Sequence, residues 1–148
     1  MANTNDVYTD VINKKAKLSK AIFEKGIEMI ATRQGYGEGL VIAGEKDESV
    51  VVLCADLTES TRSILFKEKF PERFIEVGVA EQALATIAAG MANYGKIPFI
   101  SSYAVFSPGR NWEQIRTTIA LNDVPVKIVG AHAGISVGPD GATHQALE

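Results

Sequence analysis

The sequence predicts an α/β fold, a mostly parallel sheet with helices on both faces, and three features of it carry that expectation. From Val50 onward, short apolar runs alternate with stretches of helical periodicity. The runs are nearly continuous in apolar character, as expected of strands covered on both sides. Proline and glycine clusters at Pro71, Gly95-Lys96-Ile97-Pro98 and Asp123-Val124-Pro125 separate the segments. Strands that alternate with helices pair in parallel through right-handed crossovers.

Residues 1–12 are polar and read as a flexible arm, with one domain over residues 13–148. Leu18, Ala21, Ile22, Met29 and Ile30 recur at helical spacing and predict a first helix ending near Arg33. Gln34 to Ser49 holds four glycines and the charged turn Glu45-Lys46-Asp47-Glu48 around Leu40-Val41-Ile42-Ala43, and its structure stays open. Strands are expected at Val50–Ala55, Arg73–Val77, Ile97–Ser101 and Val126–Gly130. Helices are expected at Ser60–Lys69, Ala80–Tyr94 and Asn111–Leu121.

With 148 residues, 46% hydrophobic and 22% charged, the chain has enough apolar content for one core without staples. Its 18 acidic and 15 basic residues give a net charge of -3, with no basic patch for nucleic acid or an anionic membrane surface. No run approaches the ~20 apolar residues of a membrane span, and the first residues lack the apolar core of a signal peptide, so a cytoplasmic location is expected. Cys54, the single cysteine, lies in an apolar run and reads as a buried small hydrophobe.

In parallel α/β sheets, ligands bind beyond the carboxyl ends of the strands. That rule gathers Asp56–Ser60, Gly78–Gln82, Ser102–Arg110 and Ala131–His144. Gly35-Tyr36-Gly37-Glu38-Gly39 is set aside as a dinucleotide loop, because it follows a helix where such a loop follows a strand. Glu81 opens an otherwise apolar, small-residue helix. It is either a first-turn carboxylate favoured by the helix dipole or a partly desolvated group able to share a proton with a ligand. Phe106 either stacks on a planar ring or packs in the core, and Arg110 either meets an anion or is solvated. The segment from Ala131 to Gln145, with Gly134, Gly138, Gly141, His132, His144 and Asp140, is too polar and flexible for a core element and suits a site.

The ordered motifs "CADLTES", "FIEVGVAEQ", "SYAVF", "PVKIVGAHAG" and "VGPDGATHQ" resemble the pyrimidine-binding domain of the transketolase family, thiamine-diphosphate enzymes that include deoxyxylulose-phosphate synthase. The resemblance runs from about Lys17 to the end. It implies the thiamine-diphosphate-binding pyrimidine-domain fold. It also implies that Glu81 hydrogen-bonds a ring nitrogen of the cofactor's aminopyrimidine and promotes its imino tautomer, and that Phe106 stacks on that ring. By the same resemblance His132 and His144 contact the ketose, Asp140 a substrate hydroxyl, and Ser60 the sugar phosphate. Asp56 matches an acid near the cofactor at the subunit contact, and Arg110 a loop arginine of the synthase branch. Ala16, ahead of Lys17-Leu18-Ser19, stands where some members carry a phosphate-binding arginine. The family's Gly-Asp-Gly and downstream Asn, which hold the diphosphate and its Mg2+ or Ca2+, have no counterpart here.

The resemblance therefore implies the pyrimidine half of a transketolase, working on sugar phosphates with a diphosphate-binding partner subunit, and a sheet ending after Val126–Gly130 with an uncovered strand edge and apolar surface predicts at least a homodimer. The chain stops where the family continues, as a split-gene subunit cut short or a fragment would. A synthase condensing a 2-oxo acid with an aldehyde, and a non-catalytic assembly module, are the alternatives.

Overall fold

The structure, a computed structural model, describes residues 20–135 and 137–147. The chain divides into two compact units, Met1–Ile30 and Ala31–Glu148. In the first, the described residues hold a single 3₁₀ turn at Lys20–Phe23, and Gly26 takes a positive φ of 89°. The expected polar arm lies outside the described residues.

The second unit is a four-stranded sheet of β1 (Val50–Cys54), β2 (Phe74–Glu76), β3 (Ile97–Tyr103) and β4 (Lys127–Ala131). Every pairing is parallel and the strand order is β2-β1-β3-β4. All five residues of β1 are buried, which explains why its sequence shows no alternation: each face meets a different apolar layer. Val51 and Leu53 face Leu84 and Ala88 of α3 (Glu81–Asn93), together with Ile100. Val50 and Val52 face Leu40 of α1 (Thr32–Lys46) and Phe66 of α2 (Ile64–Lys69). Adjacent residues pointing to opposite faces produce this split. A last helix, α4 (Trp112–Gln114), runs on into a π-wound stretch at Ile115–Ala120, and Ile119 packs against Ala85 and Ala89.

All four expected strands are present to within two residues at either end. The first helix is not where periodicity placed it. Among the described residues, 24–31 form no helix, and α1 instead spans the glycine-bearing stretch left open. Each glycine costs a helix about 1 kcal/mol relative to alanine, which hides α1 from local propensity. Two of these glycines are demanded by packing. A Cβ on Gly37 would lie 2.4 Å from the Arg62 carbonyl oxygen, and one on Gly44 would lie 2.6 Å from the Phe66 ring. Close approach of α1 to α2 needs both positions bare. Arg73 then seals the carboxyl end of α1, donating to the Gly44 and Asp47 carbonyls while lying 4.0 Å from the Phe70 ring centroid.

This topology positions the site. The chain leaves β1 outward to β2 and returns past β1 to β3, so connections diverge between the central strands. Glu81 follows β2, Ser102 and Tyr103 end β3, and His132 directly follows β4. Among the described residues, no helix is long and apolar enough to cross a membrane.

Candidate active site

Glu81 is the first residue of α3 and is 1% exposed. Its Oε2 accepts a hydrogen bond from Arg110 Nη1 at 2.9 Å, and its Oε1 one from Ser102 Oγ at 3.4 Å. The Glu81 carbonyl accepts from Asn111 Nδ2 at 2.9 Å, which fixes the start of the helix against the loop after β3. Glu81 is thus both a first-turn carboxylate of α3 and almost wholly withdrawn from solvent. A carboxylate this buried needs a cation, and Arg110 supplies it.

Arg110 is turned inward, although its side chain is still 48% exposed along the way. Its guanidinium carbon lies 4.7 Å from the Phe106 ring centroid, so Phe106, half-buried, offers a ring face beside the Glu81 carboxylate. A planar group carrying N–H donors fits between them, because Arg110 presents such a group to both. Phe106 also meets Tyr103 in a stacked arrangement at 6.2 Å and the edge of His144 at 5.2 Å.

Tyr103 joins the two histidines that the sequence separates. Its ring lies 4.2 Å from His132 and 5.9 Å from His144. His144 Nδ1 pairs with the Thr143 hydroxyl at 2.7 Å. On the far side of His132, Nε2 lies 3.4 Å from Arg33 Nη1. A guanidinium can only donate, so Nε2 accepts and the His132 proton sits on Nδ1, which is buried without a partner among the described residues. Burial pushes His132 below the ordinary imidazole range, the Arg33 charge adds to the push, and the Asp140 carboxylate opposes it. The net effect favours the neutral ring.

Arg33 also donates to the Ser60 carbonyl at 3.3 Å, and its two hydrogen-bond partners among the described residues are uncharged. It stands at an open groove of about 630 Å³ lined by Thr32, Tyr36, Thr61, Gly130 and His132. At the groove wall, Tyr36 Oη meets Ser101 Oγ at 2.5 Å, and burial raises its phenol to about 12. Ala16 lies outside the described residues, and Arg33 is a cation that reaches both Ser60 and His132. The periodicity hid it, because a helix expected to end at Arg33 places it away from the strand ends, whereas α1 begins there.

The remaining candidates divide. Asp56, exposed with φ 58°, lines a separate hollow of about 410 Å³ with Ser60, Lys67 and Glu76. Glu76 organises that side, accepting from the Asp56 and Gly78 N–H groups at 2.7 and 3.0 Å and from the Thr58 hydroxyl at 2.7 Å. Asp140 is exposed on the 3₁₀ turn Gly138–Thr143. Cys54 is buried, as its apolar run implies.

Residues 28–148 match the family described as transketolase, pyrimidine binding domain. The chain belongs to this family. Over 116 residues it is 53% identical to a transketolase C-terminal section of Methanocaldococcus jannaschii, covering 78% of this chain and 37% of that protein. Human transketolase is 38% identical over 122 residues, 82% of this chain and 19% of the enzyme. A split-gene transketolase solved as an inactive beta4 tetramer superposes with a TM-score of 0.69 at 48% identity, covering 82% of this chain and 38% of that one. Campylobacter jejuni transketolase gives a TM-score of 0.71 at 33% identity, covering 78% and 18%. This transketolase pyrimidine domain thus spans well under half the length of the relatives it matches. Membership implies dependence on thiamine diphosphate.

Proposed function

We propose that this chain is the pyrimidine-binding part of a transketolase that transfers a two-carbon ketol unit between sugar phosphates together with a diphosphate-binding partner subunit. The observation that carries this reading is the buried Glu81 carboxylate beside the Phe106 face, with His132 and His144 both against the Tyr103 ring. Thiamine diphosphate supplies the electron sink for carbon–carbon bond chemistry, and its Mg2+ or Ca2+ belongs to the partner subunit. Glu81 holds and shares a proton with the pyrimidine nitrogen, Ser102 steadies the carboxylate, and Phe106 orients the ring. His132, neutral, and His144 orient the ketose and exchange protons with its hydroxyls. Asp140 meets a sugar hydroxyl and Asp56 lies toward the subunit contact. Arg33, with Ser60, takes the phosphate, because a guanidinium engaged by neutral acceptors among the described residues keeps donors for an anion. This role replaces the one missing at Ala16. A cytoplasmic location completes the reading.

Reconstitution tests it. The chain is mixed with a diphosphate-half subunit, cofactor and Mg2+, and ketol transfer is assayed from phosphorylated ketoses, with a 2-oxo acid donor in parallel. Transfer from the ketose is expected. Arg33→Ala should raise KM for phosphorylated donors ~10- to 100-fold, the scale of lost charge-assisted hydrogen bonds, and hardly affect an unphosphorylated one. Activity with the 2-oxo acid alone, or with neither donor, would overturn the transketolase assignment.

Self-association belongs to the same proposal. The split-gene relative forms a tetramer of one chain, and the outer side of α3 here exposes Ile87, between Val79 before the helix and Tyr94 after it. A homodimer or larger assembly is expected by light scattering at tens of micromolar, with Ile87→Glu lowering the mass. A monodisperse wild-type monomer would count against it.

A further inference from the structure

We propose that the Arg110 guanidinium is an internal occupant of the ring site formed by Glu81 and Phe106, and that a planar amidine-type ring binds by displacing it. The inference rests on the reading of those two residues as the pyrimidine site. A guanidinium and an aminopyrimidine share a planar N–C–N unit that can meet the carboxyl group and a π face, the guanidinium by donating an N–H and the pyrimidine by a ring nitrogen that takes a shared proton from the carboxyl group. Arg110 uses both features at once: Nη1 reaches Glu81 Oε2 at 2.9 Å and Cζ lies 4.7 Å from the Phe106 centroid.

The rest of the Phe106 ring already meets Tyr103 and His144, so an incoming ring has to take the face that Arg110 covers. The partners also differ in freedom. Glu81 is held by the start of α3, by Asn111 at its carbonyl and by Ser102 at Oε1. Arg110 sits in a loop with about half its side chain in solvent, so swinging outward only rehydrates a cation. Arg110 thereby keeps the buried carboxylate paired in the free chain and leaves when a proton-sharing ring arrives. It also sets a ligand class: small planar amidines and guanidines should compete for this site.

The test uses the full chain, thiamine as probe and ligand-observed NMR, with far-UV circular dichroism to check folding. Arg110→Ala should bind thiamine at least ~10-fold more tightly than wild type, since the competitor tethered beside the site is gone. Millimolar guanidinium should displace thiamine from that variant and have much less effect on wild type. Adding Glu81→Gln to Arg110→Ala should abolish both the gain and the guanidinium effect. Equal or weaker thiamine binding by Arg110→Ala overturns the internal occupant and leaves the pyrimidine reading standing. Saturable binding by neither protein overturns both. A measurement on the wild type serves if the variant does not fold. Arg110 side-chain NMR signals should be restrained in the free chain and released at saturating thiamine, and signals that stay restrained overturn the proposal.

Discussion

Glu81→Gln is expected to reduce ketol transfer by the reconstituted complex by ~10²-fold or more, the scale usual for acid–base groups, while stability changes little. The substitution preserves shape and removes the charge together with the ability to hold and share a proton. Glutamine's amide oxygen still accepts from Arg110 Nη1, and its NH2 group donates to the Ser102 hydroxyl oxygen in place of the bond that the second carboxylate oxygen accepted. Arg110 loses its counter-charge but has solvent along half of its side chain, so it does not become a buried orphan. Were Glu81 only a first-turn carboxylate, the change would cost roughly 0.3–1 kcal/mol of stability and leave turnover intact. Hydrogen–deuterium exchange at the thiazolium carbon of the bound cofactor separates the two outcomes. Exchange as fast in Glu81→Gln as in wild type would sink the assignment.

Phe66→Ala is expected to lower the unfolding free energy by ~3–5 kcal/mol, a large share of the ~5–15 typical of a domain. Phe66 is 0% exposed and fills the layer between α1 and β1. Its ring lies 5.0 Å from Phe70 and 5.6 Å from the Arg73 guanidinium, which closes the end of α1. The helix above cannot easily settle into the vacated space, because Gly44 has no side chain to follow it. Urea denaturation should show the midpoint falling with the slope unchanged. A loss below ~1.5 kcal/mol would mean that this layer repacks, and the account of Gly44 would fail with it.

Local sequence was sufficient where one segment carries its own signal. The apolar runs of β1 and β3 and the loops beyond them needed no partner to be recognised. Glu81 stood out because a carboxylate opening so apolar a helix is conspicuous. The pairings were beyond its reach, since they join residues far apart in the chain. Arg33 and His132 are 99 positions apart and Glu81 and Arg110 are 29 apart. No periodicity encodes either distance.

The sequence by itself therefore determined the alternating α/β order, the strand-end loops that supply the site, and the family motifs that name Glu81, Phe106 and the histidines. Tertiary structure alone decided that the glycine-bearing stretch is a helix, because its cost in local propensity is recovered only where Gly37 and Gly44 let α1 close on α2. It also decided that Arg33 enters the site and that Arg110 faces inward. Burial of one carboxylate and partial burial of one imidazole make the choice of neighbouring charge an energetic matter, and burial exists only once the sheet has assembled.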